Sequence, residues 1–130
     1  MNITQEILSD IVVYNKYAKY IPSKQRRETW EELVTRNKGM HQKKFPDLKE
    51  EIEEIYEMVY DKKVLPSMRS LQFAGKPIDI NNSRIFNCSY LPIDDWRSFS
   101  EVMFLLLSGC GVGYSVQKHH IEKLPEIRIP

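Results

Sequence analysis

Between Arg84 and Gln117 the chain reads RIFNCSYL, then a long apolar stretch, then GVGYSVQ, and this succession restricts its fold more than any other feature. RIFNCSYL alternates, with Ile85, Asn87 and Ser89 on one side and Phe86, Cys88 and Tyr90 on the other, which predicts a strand ending at Pro92. Asp94 or Asp95 is then expected to open a helix, with Ser98 and Glu101 as a capping pair. From Val102 to Leu107 the apolar residues surround the helix axis, so this helix is expected to be buried on every side. Gly109 stops it, and GVGYSVQ, residues 111–117, forms the next strand. A strand–helix–strand unit makes a parallel pair, and parallel sheets need cover on both faces. The expected class is therefore α/β. Two strands cannot supply that cover, and the sequence reads as the beginning of something larger.

Upstream the pattern is helical. ILSDIVVYNKYAKYI, residues 7–21, is expected to run as a helix to Pro22, which cannot continue it. RRETWEELVTRNKGMHQKKF follows, with Trp30, Leu33 and Val34 on one face and Gly39 weakening its later part. A third helix is expected with Asp47 as cap and Glu50 three residues on, carrying a stripe of Leu48, Ile52, Ile55 and Val59. Its early glutamates and the closing Lys62 and Lys63 match the helix dipole. From Pro66 the residues PSMRSLQFAGKPIDINNS favour turns and predict an irregular connection. Residues 1–65 thus form a helical region, and residues 66–130 hold the strand–helix–strand unit.

The totals remove several functional classes. With Lys+Arg at 19 and Asp+Glu at 18 there is no field of one sign, so neither nucleic acid nor an anionic membrane is an expected partner. VMFLLL is too short to span a bilayer, and the start MNITQEILSD is not ordered like a signal peptide. A cytoplasmic location is expected. The two cysteines, Cys88 and Cys110, and the scattered His41, His119 and His120 have no metal-ligand spacing, and no metal is expected.

Cys88 is the first residue to weigh for chemistry. A free cysteine in a strand is either a small buried hydrophobe or a thiol that gives electrons to a substrate, and the second role needs a partner sulfur. Cys110 has no evident path to it. Gly109-Cys110-Gly111-Val112-Gly113 is glycine-rich, but it follows a helix and enters a strand, the reverse of a dinucleotide-binding turn. Tight helix-to-strand packing is its expected role. Asp94 and Asp95 read as helix caps, and Ser67 and Ser70 as turn residues.

Taken together, PSMRSLQFAG, NCSYLPIDD, FSEVMFLLLSGCGVGYSVQ and KLP, in this order, with KY and QRRETWEE upstream, resemble the start of ribonucleotide reductase catalytic chains. The likeness runs from about Tyr14 to Pro125 and is greatest to the monomeric, adenosylcobalamin-dependent class II ribonucleoside-triphosphate reductases. It implies a helical region followed by the first strands of a ten-stranded α/β barrel, incomplete in this chain. In that family the strand carrying NCS holds one of the two thiols that reduce the substrate, a role that would fall to Cys88. The same resemblance implies substrate contacts for Asn87 and for the serines Ser67 and Ser70 of PSMRS, and an effector-nucleotide contact for Asp95. Cys110 is given no redox role.

The resemblance also implies partners: a ribonucleotide substrate, a nucleotide effector, a thioredoxin-like reductant and adenosylcobalamin as radical source. The second reducing cysteine, the thiyl-radical cysteine and its carboxylate are not among these residues. The expectation is therefore a chain inactive by itself, completed by a second polypeptide or left by an interrupted gene. A class I large chain served by a separate metal-radical subunit is the nearest alternative. A non-catalytic helical interaction module is the alternative from another class.

Overall fold

The computed structural model describes residues 3–126 and divides into two compact units, Met1–Ile80 and Asn81–Pro130. The division falls after Ile80, later than the 65/66 boundary that composition suggests. The reason is tertiary: the segment after Pro66 packs into the first unit.

That unit begins with α1 (Ile3–Val12), which passes into a π-helical turn at Val13–Tyr17. The helix expected over residues 7–21 therefore ends early. Glu28 pulls the chain out of it: Lys19 N–H donates to Glu28 Oε2 at 2.9 Å, Glu28 N–H donates to the Lys19 carbonyl at 2.8 Å, and Arg27 donates to the Ala18 carbonyl at 2.8 Å. β1 (Tyr20–Ile21) and β2 (Arg26–Arg27) then form a small antiparallel pair.

α2 (Trp30–Lys44) opens with a capping box in which Thr29 and Glu32 satisfy each other's backbone N–H groups. The cap expected at Asp47 is absent. Pro46 instead starts a 3-10 turn, Pro46–Leu48, and α3 (Lys49–Tyr60) has Leu48 at its N-cap with no side-chain cap. The stripe of α3 is also rotated from expectation. Leu48 and Ile55 stay 46% and 49% exposed, while Tyr56 and Val59 are buried and Ile52 is half-buried. Tyrosine, scored as half-polar in a sequence, brings the larger ring to the core.

The turn-rich stretch after Pro66 forms two short helices, α4 (Met68–Phe73) and α5 (Lys76–Ile80). Tertiary bonds outweigh its turn propensity. Leu71 joins Leu33, Val34, Tyr56 and Val59 in the core of the unit. At the end of α4 the Ala74 carbonyl accepts from Lys19 Nζ at 2.7 Å and Arg36 at 3.0 Å, two cations at a helix C-terminus.

A buried amide ties α2, α3 and α4 together. Asn37, fully buried, donates to Ser70 Oγ at 2.7 Å and accepts from the Tyr56 hydroxyl. Burial pushes the Tyr56 phenol up to about 12, so it is a donor throughout the physiological range. Asn37→Ala leaves two buried hydroxyls without this partner and should cost about 1–3 kcal/mol, read from urea unfolding.

Glu28 lies between Arg36, at 2.7 Å, and the Lys19 backbone. Burial alone would raise its carboxyl, but the hydrogen bonds from Arg36 and the Lys19 amide and the two positive charges outweigh burial and hold it below the ordinary carboxylate value of 4.5. A carboxyl depressed on folding adds stability above its unfolded value and loses it as pH falls through its folded one. The unit should therefore hold a constant melting temperature from neutral pH to about 5 and weaken below 4.5. Glu28→Gln should lower stability at pH 7 and flatten that acid limb.

The second unit opens with a 3-10 turn, Asn82–Ile85, where Asn81 accepts from Ser83 N–H at 3.0 Å. This local bond delays the strand: β3 runs Cys88–Pro92, starting later than expected and including Pro92. α6 (Ser98–Leu107), β4 (Gly111–Ser115) and the short α7 (Lys118–Ile121) complete it. β3 and β4 pair in parallel, as the sequence predicts, in a sheet of two strands. A ten-stranded barrel is not present among the described residues. No helix there is long and apolar enough to cross a membrane.

Candidate functional site

The parallel pair sets Cys88 beside Gly111 and Tyr90 beside Gly113. Paired residues share a face and successive residues alternate, so these four positions form one face, while Ser89, Leu91 and Val112 lie on the other. On the second face Ser89, Leu91 and Val112 are half-buried while Tyr114, paired with Leu91, is 59% exposed, and α6 packs against both strands. The first face is open: Cys88, Tyr90, Gly111 and Gly113 are all exposed. A methyl built on Gly111 would meet Cys88 Sγ at 3.9 Å, and one on Gly113 would meet the Tyr90 ring at 3.9 Å. The thiol thus stands over a glycine floor, next to an aromatic ring and clear of any greasy packing.

Both cysteines are free, with Cys88 exposed and Cys110 buried. Cys110 immediately precedes Gly111, and its Sγ lies 3.4 Å from Ser89 Oγ, on the face turned away from Cys88. The two sulfurs therefore sit on opposite faces and are not placed for a disulfide. Gly109 holds a φ of +83°, with its N–H on the Leu106 carbonyl and the Cys110 N–H on the Leu105 carbonyl, both at 3.0 Å. This is the helix-ending motif for which glycine is favoured, so Gly109 in the glycine-rich turn serves to close α6.

α6 itself differs from expectation. Its covered stripe is Ser98, Val102 and Leu105, whereas Phe99, Met103, Phe104, Leu106 and Leu107 are exposed, Leu107 by 81%. An all-round apolar helix needs neighbours on all sides, and here β3 and β4 give it one. The expected Ser98 cap is also absent: Arg97 is the N-cap, and Asp95 Oδ1 accepts from the Arg97 N–H at 2.7 Å.

The remaining candidate residues divide between the units. Asn87 is exposed directly before Cys88, and its carbonyl accepts from the Gly111 N–H at 2.9 Å. Asp95 is exposed ahead of α6. In the first unit, Ser67 is the exposed N-cap of α4, and Ser70 is buried with its hydroxyl on Asn37. Sequence reasoning passed over Tyr90 and Ser89. Their signal was the alternation itself, since Tyr90 shares the face of Cys88 and Ser89 the face that α6 covers.

No group of three or more His, Cys, Asp or Glu side chains fit to hold a metal is found among the described residues. The first unit has a cleft of about 420 Å³ bordered by Tyr14, Arg27, Trp30 and Lys62. The second has one of about 390 Å³ along α6, bordered by Glu101, Phe104 and Leu105. Neither offers a corrin a matching bed: the first is crossed by Arg27 over Tyr14 and Lys62 over Trp30, and the second is one side of a helix.

The fold carrying this open-faced thiol matches part of the class II ribonucleotide reductase fold. A crystal structure of a B12-dependent class II ribonucleotide reductase superposes with a TM-score of 0.79 over 92% of this chain and 21% of that one, at 24% identity. In sequence the chain is similar to adenosylcobalamin-dependent ribonucleoside-triphosphate reductases. Those of Lactobacillus delbrueckii subsp. bulgaricus and Lactobacillus leichmannii are each 28% identical, and that of Lacticaseibacillus paracasei is 26% identical. Each match covers 89% of this chain, which spans about a fifth of the relatives' length, 20%. No family model matches the chain.

Proposed function

We propose that this chain is part of the catalytic core of an adenosylcobalamin-dependent ribonucleotide reductase acting on ribonucleoside triphosphates, with Cys88 as one of the two reducing thiols. The observation that carries the reading is the exposed Cys88 thiol over the Gly111–Gly113 floor of a parallel β pair. Loss of the 2′-hydroxyl as water takes two electrons and two protons, and two thiols supply both in becoming a disulfide. Cys88 gives one sulfur. Cys110, on the opposite face, cannot give the other, so the second comes from polypeptide outside these residues, as does the thiyl radical. Polypeptide outside these residues that completes the barrel also covers the exposed side of α6, and a thioredoxin-like dithiol reopens the disulfide.

Adenosylcobalamin supplies the radical when it is bound elsewhere in the assembly, chemistry that belongs to the cofactor. Within this chain Asn87 lines the substrate and Asp95 meets the effector nucleotide. The substrate roles of Ser67 and Ser70 rest on the resemblance. Ribonucleoside-triphosphate reduction by the assembled protein, measured with and without adenosylcobalamin, tests the reading. Turnover only with the cofactor is expected. Turnover without cobalamin points to the class I alternative, and no turnover in any complete assembly removes the enzymatic reading.

A further inference from the structure

We infer that Tyr90 positions the substrate, its ring forming the surface on which the nucleobase stacks; this rests on the reading of Cys88 as a reducing thiol. Tyr90 follows Cys88 by two residues on one strand, so both side chains rise from the same face about 6.7 Å apart along it. Across the pair, Gly111 and Gly113 add no side chain, and the Tyr90 ring reaches over Gly113. Sulfur and ring are thus the only side-chain features raised at these four positions. A sugar carbon in contact with Cys88 Sγ, and oriented along the strand towards its C-terminal end, has one of its substituents over Tyr90. That substituent is either the base or the phosphate end.

The residues of this face decide between them. Cys88, Tyr90, Pro92, Gly111, Gly113 and Ser115 include no lysine or arginine, and Ser115 is engaged by His120 Nδ1 at 3.0 Å. A triphosphate calls for cations or aligned backbone N–H groups, whereas a base calls for a flat aromatic face. Tyr90 presents such a face, 66% exposed, with nothing packed on its outer side by its own strand pair.

The test is steady-state kinetics of the active reductase assembly carrying Tyr90→Ala or Tyr90→Phe. Stacking predicts a KM for ribonucleotides raised about tenfold or more by alanine, with kcat changed much less, and phenylalanine within about twofold of the parent. An abasic ribose triphosphate should bind parent and Tyr90→Ala with equal affinity in equilibrium dialysis. Within this chain the ring is exposed and Tyr90→Ala removes no core contact; an unchanged melting temperature of the assembly checks that none is removed there either. Unchanged nucleotide KM, a loss confined to kcat, or an equal loss of abasic ligand each overturns the assignment. The two ideas fail separately. Turnover surviving in Cys88→Ser removes the thiol reading and Tyr90 with it, while a dead Cys88→Ser beside an unaffected Tyr90→Ala removes Tyr90 alone.

Discussion

Cys88→Ser should abolish ribonucleotide reduction by the assembled enzyme, lowering turnover by at least about 10³-fold while leaving assembly and the second unit's fold intact. A serine hydroxyl fits the same strand position but forms no disulfide, so the electron pair has no source. The substitution costs little in packing, because the side chain is exposed over Gly111. Turnover is read with a small dithiol as reductant, which removes any dependence on a particular protein donor. Activity retained under those conditions would exclude Cys88 from the chemistry. Cys110→Ala provides the control and should be nearly silent in turnover. A loss as deep as that at Cys88 would show that the wrong sulfur had been chosen.

The second large effect is chemical and needs no partner. In the folded chain, iodoacetamide should modify Cys88 roughly a hundredfold faster or more than Cys110, measured by peptide mass spectrometry over time. Cys110 is 3% exposed, with its S–H directed to Ser89 Oγ and the backbone turn around it fixed by Gly109. It reacts only after local opening, which populates a small fraction of molecules. Cys88 needs no opening. The contrast should vanish in urea, where both thiols are solvated, and comparable rates in the native chain would mean that the open face is misassigned. A bulky side chain on the floor offers a finer check. Gly111→Val would bring methyl groups towards Cys88 Sγ and slow its labelling without touching that of Cys110.

The strand placement of Cys88 was legible in the sequence to a definite depth. Alternation in RIFNCSYL put Cys88 and Tyr90 on one side and Ser89 on the other, and the pair shows that division. GVGYSVQ was legible as a second strand, and Gly109 as the residue that ends the intervening helix. These are local matters: a period of two, a run of apolar residues, and a residue without Cβ at a positive φ. The register that brings Gly111 opposite Cys88 was not legible, since pairing depends on how α6 seats both strands.

Longer-range bonds account for the failures. Asn37 lies one helical turn after Leu33, on the same buried side of α2, yet a polar residue in a helix reads as solvent-facing until Ser70 and Tyr56 arrive as partners. Residues 66–80 read as loop because Pro, Gly and Ser favour turns, but Lys19 and Arg36 stabilise the end of α4 from distant positions in the chain. The first helix stops early for the same reason, through Glu28.

By itself, then, the order of residues determined the parallel strand–helix–strand unit, the strand that carries Cys88 and the likeness to the reductases, since each depends on neighbours within a few residues or on a run of matching words. Only the tertiary structure decided which cysteine faces solvent, which face of α3 is core and where the first unit ends. Those outcomes depend on contacts between residues far apart in the chain, whose free energy exceeds the small local preferences that a sequence displays.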